Sequence, residues 1–303
     1  MQTSFSHDYI IELIESQLAQ WPLAKQNYDA LSNVERREVN INGYDFLIQY
    51  NPARIISTAA SVDKASIAER KCFLCKENRP EQQISTPILP GWEMLVNPYP
   101  ILPVHLTIVA TDHKPQKRVP RDIVEMAMRL PGMAIFFNGA RAGASAPDHL
   151  HLQAVLKDEL PLIRLVEKVH PSSAKLVLPS DAILPGFPFF FFTGIVAPDD
   201  SGLKTLLAGI SIGGSSSGKK IDDPELVNTF FWISDNGLLR FIAIPRKAHR
   251  PSFYYSDDQD RMMISPGCID MAGMLITPRR NDYLSLDAQA IQKIYKEVGF
   301  EVS

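Results

Sequence analysis

Residues Asn138 to Gln153 read NGARAGASAPDHLHLQ, and the rest of the chain is organised around them. The last five, His149-Leu150-His151-Leu152-Gln153, alternate polar and apolar with period two, the pattern of a half-buried strand. That spacing predicts His149, His151 and Gln153 on one face, with Leu150, Leu152 and Ala154 turned into a core. Upstream, Gly139, Gly143, the small Ala and Ser residues and Pro147 suit a tight turn and a close backbone approach to a ligand. A small-residue loop feeding a strand with paired histidines points to a phosphate site with a nucleophile beside it. The plainer alternative is a pair of satisfied histidines on a sheet surface. The glutamine that follows and the loop that precedes weigh against it.

At 303 residues the chain suffices for one large or two modest domains. A hydrophobic share of 45% and a charged share of 21% are those of an ordinary soluble globular protein. The net charge of −3 leaves no electrostatic footprint for nucleic acid. The longest apolar run, Phe187 to Val196, contains Pro188 and is too short to span a bilayer, so no membrane partner is expected. Acidic residues run through the apolar pattern of the first thirty residues, unlike a signal peptide. Three cysteines, two spaced Cys72-x-x-Cys75, argue against a disulfide scaffold and for a reducing compartment, with the cytoplasm as the default.

Along the chain, Ile10, Ile11, Leu13, Ile14 and Leu18 recur at helical spacing, with Ser6, His7 and Asp8 near the start as capping candidates, predicting an amphipathic helix over 7–20 that packs on the body. Asn42-Gly43 marks a hairpin between alternating runs. Strands are expected at 94–96, 105–110 and 133–138, the last pairing with 149–155, and short helices at 121–130 and 162–169. The connector His170 to Pro185 is the expected boundary between halves. Beyond it come a strand in PFFFFTGIVA, a hairpin at Ser234-Asp235-Asn236-Gly237 and a helix from Leu286 to Val298. Gly213 to Lys220 approaches a P-loop pattern, but Lys220 stands at its Ser/Thr position and Asp222-Asp223-Pro224 follows where a helix would begin; a flexible loop is favoured. The division expected is a helical appendage (1–35), a catalytic half (36–170) and a second half (171–303).

HLHLQ resembles the His-x-His-x-His/Gln motif of the histidine-triad superfamily, and NGARAGASAPDH resembles the Asn-Gly…Gly-x-Ser-x-Pro approach of one of its branches. That branch holds galactose-1-phosphate uridylyltransferase, diadenosine tetraphosphate phosphorylase and the GDP-hexose phosphorylases. The resemblance implies an α+β, duplicated histidine-triad-like fold, mostly antiparallel sheet with flanking helices. The second half has no His-x-His, so its copy would be non-catalytic. Residues 50–56 resemble an Arg-Tyr-Asn-Pro strand of the branch, which makes Arg54 a candidate for substrate phosphate; a surface arginine is the alternative. NPYPILPVHL resembles a phosphorylase segment whose asparagine region meets the nucleoside, so Asn97 is carried over as a nucleotide-binding candidate. Homodimerisation is implied by the family alone.

A single Cys-x-x-Cys supplies two of the four ligands of tetrahedral zinc, and a redox pair is the alternative. His113 and His149 are the best candidates for the other two, and the resemblance implies the same set, so a structural Zn²⁺ held by Cys72, Cys75, His113 and His149 is expected. His151 is the expected nucleophile on the α-phosphorus of a nucleotide, its other ring proton accepted by a strand carbonyl, that of His149. Gln153 would donate its amide to the phosphoryl oxygens, and the amides around Gly143 to Ser145, with the Ser145 hydroxyl and Asn138, would hold phosphate. The function implied is a nucleotidyltransferase or phosphorylase cleaving a nucleoside diphosphate sugar or dinucleoside polyphosphate through a nucleotidyl-histidine, with phosphate or a sugar 1-phosphate as acceptor. Two alternatives stand beside it: a hexose-1-phosphate uridylyltransferase, and a non-catalytic zinc-stabilised nucleotide-binding protein. In the second half, Arg246, Lys247, His249 and Arg250 form either a phosphate or sugar contact or a solvated basic turn, and Cys268 reads as a buried small residue.

Overall fold

The structure, a computed structural model, describes residues 4–58, 64–169, 177–196, 223–257 and 261–301. The Gly213 to Lys220 loop lies outside the described residues, as do 170–176 of the connector and 59–63 of the polar segment after Ile56. The strands are β1 (Glu35–Ile41), β2 (Tyr44–Tyr50), β3 (Thr86–Leu89), β4 (Trp92–Val96), β5 (His105–Ala110), β6 (Met133–Asn138), β7 (His151–Leu156), β8 (Leu178–Pro179), β9 (Phe192–Ile195), β10 (Val227–Ile233), β11 (Leu239–Pro245) and β12 (Met274–Thr277). Among the described residues nine of them form one sheet in the order β3-β4-β5-β7-β6-β10-β11-β9-β8, antiparallel at every junction. The other three form a small sheet: β1 and β2 are a hairpin, and β12 runs parallel to β2. Asn42 and Gly43 both take positive φ (53° and 88°), as a tight two-residue hairpin turn requires. The fold is α+β, a large antiparallel sheet with flanking helices.

Both faces of the large sheet are covered, which is why β5 and β6 are buried at every position and read as continuous apolar runs. On one face Leu152, Ala154, Phe231 and Phe241 pack with Ile10 and Ile14 of the helix His7–Gln20 and with Ile123 and Met126 of the helix Ile123–Arg129. The N-terminal helix therefore packs on the body, started by Ser6, whose hydroxyl accepts the Tyr9 amide. The opposite face carries Phe136, Val155, Phe230 and Trp232. Against it lie Leu162 and Val166 of the helix Pro161–Val169, Ile291 and Ile294 of the helix Ala288–Val298, and Phe46, Ile48 and Leu275 of the small sheet. Burial of each such phenylalanine or leucine is worth roughly 1.5–3 kcal/mol.

The phenylalanine run departs from expectation. Only Phe192–Ile195 is strand; Phe187 and Phe189 instead pack edge-on with ring centroids 4.9 Å apart, and Phe189 meets Tyr295 at 4.7 Å. Pro188 has no amide hydrogen to give a ladder, and the rings fill the space under the C-terminal helix. The portions before and after the connector meet inside the large sheet, where β6 pairs with β10 from Ala134↔Trp232 to Asn138↔Asn228.

Candidate active site

β7 begins at His151, and His149 lies in the bend before it, so the expected row of three polar side chains is corrected. His151 and Gln153 share a face, while the ring of His149 turns to Cys72 and Cys75. The cause is backbone bonding: Leu150 donates to the Lys114 carbonyl and accepts from the Ala110 amide, which pulls 149–150 away from β6.

Where β6 and β7 part, the buried side chain of Gln116 stands between them. Its amide donates to the carbonyls of Asn138 and His151 (both 2.9 Å), and its oxygen accepts the His151 amide at 2.8 Å. One side chain thus satisfies three buried backbone groups and holds β7 apart from β6 at this end. Gln116→Leu is expected to lower unfolding stability by about 2–5 kcal/mol, because those groups lose their partner in the interior. Denaturant unfolding measures it, and a loss under about 0.5 kcal/mol would overturn this account of the gap.

His151 is buried, and its Nδ1 lies 2.8 Å from the His149 carbonyl. A carbonyl only accepts, so Nδ1 carries the proton and Nε2 keeps its lone pair. Burial lowers the His151 pKa to about 4, so the ring is neutral at pH 7. Gln153 is oriented from behind. His105 Nδ1 accepts the Ile101 amide at 3.1 Å, which puts the His105 proton on Nε2, 2.8 Å from Gln153 Oε1. With its oxygen engaged, the Gln153 amide is left to donate. His105 and Gln116 are functional-site residues that the sequence pattern left unassigned. His105-Leu106-Thr107 shows the same period-two alternation as HLHLQ, a signal that was available; Gln116 sits in a loop and gives none.

A cleft opens on this face between the large sheet and the short helix Cys268–Met271, and Arg54, Asn138, Gly143, Ser145 and Gln153 all line it. Asn138 is locked because its oxygen accepts the Cys268 amide (2.7 Å) and the Asn228 side chain (2.9 Å). Gly143 has φ 96°, and a Cβ there would stand 2.6 Å from the Gly267 Cα and 2.9 Å from the Pro266 carbonyl oxygen. The close approach that this glycine allows is to the second half of the chain. Gly139 likewise sits against the backbone of Glu225 and Val227. Arg54 gives a 2.5 Å bond to the Tyr99 carbonyl; burial lowers its pKa to about 10, partly opposed by the Asp270 charge. Asn97 is not brought to the cleft. Its oxygen accepts the Tyr99 amide and its nitrogen donates to Thr107 Oγ1, so it closes the turn between β4 and β5.

Residues of the second half supply the other wall of the cleft: His249, Arg250, Ser265 and the segment from Gly267 to Asp270. Asp270 accepts the amides of Gly267 and Ile276, and burial raises its pKa to about 6. Arg246 lies buried beneath the wall, bonded to Asn228, Val298 and Pro266, so this member of the basic cluster is a structural bolt. Cys268 is buried and makes a 3.2 Å contact with the Phe137 carbonyl.

The four sulfur and nitrogen candidates converge. Ligand atoms of Cys72, Cys75, His113 and His149 lie within 4.8 Å of one another. His149 Nδ1 stands 3.3 and 3.5 Å from the two sulfurs, and His113 Nδ1 3.2 Å from Cys75. Tetrahedral zinc would put neighbouring sulfur and nitrogen atoms about 3.5 Å apart. His149 Nε2 donates to the Ala110 carbonyl at 2.8 Å, which leaves Nδ1 as the ligating nitrogen. Partial burial and the adjacent Cys72 push the Cys75 thiol up to about 11, a shift that a bound cation would oppose. Leu74, Leu95, Val109 and Ala146 close an apolar shell around Cys72. The donor set and its spacing fit zinc.

Burial also lowers His105 to about 3, helped by the Arg54 charge, and His249 to about 3, helped by Arg250 and Arg246. In the unfolded chain an imidazole takes its proton near 6.5. The unfolded state therefore binds more protons between those values, so stability is full above pH 6.5 and declines as pH falls toward 4. A Tm that stays level between pH 7 and pH 4.5 would contradict this burial.

A sequence profile described as Domain of unknown function (DUF4922) matches residues 13–156, from within the first helix to the end of β7. No curated protein sequence matches the chain. Among solved structures the fold is similar to yeast Ap4A phosphorylase Apa2, with a TM-score of 0.57 at 14% identity over 93% of this chain and 97% of that one. The same yeast protein in complex with AMP gives 0.56 at 14% identity (95% and 98% covered), and in complex with Ap4A 0.55 at 13% (96% and 98%). At this identity the likeness is one of fold. Among the described residues no helix is long and apolar enough to cross a membrane.

Proposed function

We propose that the chain is a nucleotidyltransferase of the phosphorylase kind, which cleaves a nucleotide phosphoanhydride through a nucleotidyl-histidine on His151. The observation that carries this reading is the state of His151: neutral, its Nδ1 proton held by the His149 carbonyl, its Nε2 lone pair on the face it shares with Gln153. The likeness to a phosphorylase whose complexes contain AMP and Ap4A supports a nucleotide substrate. Nε2 attacks the α-phosphorus, the bond to the leaving phosphate oxygen breaks, and that oxygen departs with the electron pair. The imidazole becomes cationic in the adduct, which strengthens its Nδ1–H bond to the His149 carbonyl. The Gln153 amide, aimed by His105, meets the non-bridging oxygens. The acceptor oxygen then attacks the same phosphorus and the P–N bond breaks, returning the lone pair to Nε2.

In the same reading Cys72, Cys75, His113 and His149 would hold Zn²⁺, whose chemistry would be structural, tying three chain segments together and steadying His149 beside His151. The protein is expected to carry about one zinc per chain, and Cys75→Ser to lose it with a lower Tm, because such sites contribute folding energy. Elemental analysis decides, and a metal-free protein of unchanged Tm would remove zinc. The symmetric strand order about β6 and β10 supports the duplication, with 36–170 the catalytic copy and 171–303 the other. A reducing compartment, the cytoplasm, suits the thiol pair.

Intact-protein mass after brief exposure to Ap4A, and separately to nucleoside diphosphate sugars, with no acceptor added, tests the reading. A gain of one nucleoside monophosphate, mapped by fragmentation to His151, is expected. No gain with any pool, despite measured nucleotide binding, would sink it.

A further inference from the structure

Arg246 is a buried cation whose donors all meet neutral oxygens. Its Nε donates to the Val298 carbonyl (3.0 Å), its Nη1 to Asn228 Oδ1 (2.5 Å) and the Pro266 carbonyl (3.0 Å), and its Nη2 to the carbonyls of Ala248 (3.0 Å) and His249 (3.2 Å). Among the described residues no carboxylate bonds to it. Asp270 acts on it through space, its own oxygens engaged with the amides of Gly267 and Ile276. A buried charge without an ion pair is destabilising, so stability alone does not account for a cation here. From it two carboxamides run in series toward the cleft. Asn228 Oδ1 faces a guanidinium, which only donates, so Asn228 Nδ2 is the end that reaches Asn138 Oδ1 (2.9 Å) and the Ala142 carbonyl (2.7 Å). Asn138 Oδ1 also accepts the Cys268 amide at 2.7 Å. The amide nitrogen of Asn138 is thereby left for the cleft that this residue lines, and it has no bond among the described residues. Phe136 pairs with Gln153, so Asn138, two residues on, shares the face of His151 and Gln153 across the gap that Gln116 fills.

We propose that Arg246 and Asn228 are positioning residues: they orient and polarise Asn138 so that its Nδ2 donates to a phosphoryl oxygen in the cleft. The inference rests on the transferase reading for the bound group, and it gives the second half of the chain a part in the reaction. Each carboxamide accepts at its oxygen and donates at its nitrogen. Every link therefore polarises the next in one direction, from the guanidinium to an anion in the cleft. A donor fixed before the reaction, in a site from which water is excluded, stabilises charge that builds on the phosphoryl oxygens. The orientation is decided by chemistry at both ends: a turned Asn228 amide would set N–H against N–H at Arg246, and a turned Asn138 amide would do so at Cys268. No bond is made or broken along the relay, and no proton moves.

Asn228→Asp cuts the relay at its second link, because the carboxylate still accepts from Arg246 but has no hydrogen for Asn138 or Ala142. In a single turnover of the full chain with saturating Ap4A, this variant should form the adduct about 10-fold more slowly, with a Tm near that of wild type. Asn138→Ala should slow the same step about 100-fold. Because Asn228 acts through Asn138, the double variant should be no slower than Asn138→Ala alone. Effects that multiply in the double variant, or a wild-type rate in Asn228→Asp, would overturn the relay. A second arm needs no nucleotide and no altered fold: hydrogen exchange of the two side-chain amides in the wild-type protein, followed by NMR. The Asn138 amide, which faces the cleft, should exchange quickly, and the Asn228 amide, bonded at both hydrogens, slowly. In Asn228→Asp the Asn138 nitrogen should turn to the new carboxylate, and its exchange should slow. Equal exchange of the two amides in wild type would count against the relay. If wild type forms no adduct, the transferase reading falls, and the exchange arm judges the relay separately.

Discussion

Alanine at position 151 is expected to abolish the covalent adduct and to lower turnover by at least about 10⁴-fold, the scale seen when a catalytic nucleophile is deleted. The expectation follows from what His151 alone supplies. In the proposed reaction its lone pair bonds to phosphorus, and its Nδ1–H bond to the His149 carbonyl fixes the tautomer that leaves Nε2 unprotonated. Its burial, which lowers the pKa to about 4, keeps that lone pair unprotonated at pH 7, so the first step should hold its rate down to about pH 5. Removing the ring leaves the His149 carbonyl without that donor, a stability cost of about 1–3 kcal/mol, so the variant should fold and bind nucleotide. Mass spectrometry and steady-state rates on the same preparation separate the two effects. Turnover above about 1% of wild type would show that the nucleophile lies elsewhere.

Gly143→Ala is expected to damage the fold out of proportion to its one added methyl group. The added methyl would stand 2.6 Å from the Gly267 Cα and 2.9 Å from the Pro266 carbonyl oxygen, both backbone atoms that no rotamer change can clear. The φ of 96° adds strain for any residue with a Cβ. Overpacking and forced backbone geometry together give a loss of about 2–6 kcal/mol. Because the contact is between the Gly143 loop and the second half, the cleft should open as the loops separate, and under the proposed function the nucleotide Kd should rise along with the loss of stability. Gly132→Ala is the comparison: its φ is 82°, yet nothing lies within 4 Å of its Cβ position, so it meets the strain without the collision. Equal losses in the two variants would mean that the loop contact contributes nothing.

Much of the site was legible in the amino-acid order because its chemistry is local. Period two from Leu150 to Gln153 is a backbone property, so it placed His151 and Gln153 on one face before any partner strand was known. Cys72-x-x-Cys75 pairs two sulfurs across a short turn for the same reason, and the Asn42-Gly43 hairpin needs only its two positive φ values. The pairing of β6 with β7 was likewise within reach, since β6 is a continuous apolar run next in order.

Where the signal depended on distant segments, it failed or misled. His149 follows the alternation yet leaves the row, because Lys114 and Ala110 hold the backbone beside it. Asn97 matched a nucleoside-contact segment, but its amide is consumed by Tyr99 and Thr107. Gly143 was correctly singled out for close backbone approach, but to a ligand rather than to Pro266 and Gly267.

By itself the sequence determined the strand that carries His151, the face that His151 shares with Gln153 and the pairing of Cys72 with Cys75, all of which rest on spacings of a few residues, while the α+β class followed from the family resemblance. Only the tertiary structure decided that Gln116 holds β6 and β7 apart, that His105 turns Gln153, and that Arg246 fixes a second-half wall across the cleft. These contacts join residues as far apart as 20 (Arg246 to Pro266), 35 (Gln116 to His151) and 48 positions (His105 to Gln153). A single buried amide or guanidinium in a loop carries no periodicity, so nothing in the chain's order marks it until the sheet brings its partners within 3 Å.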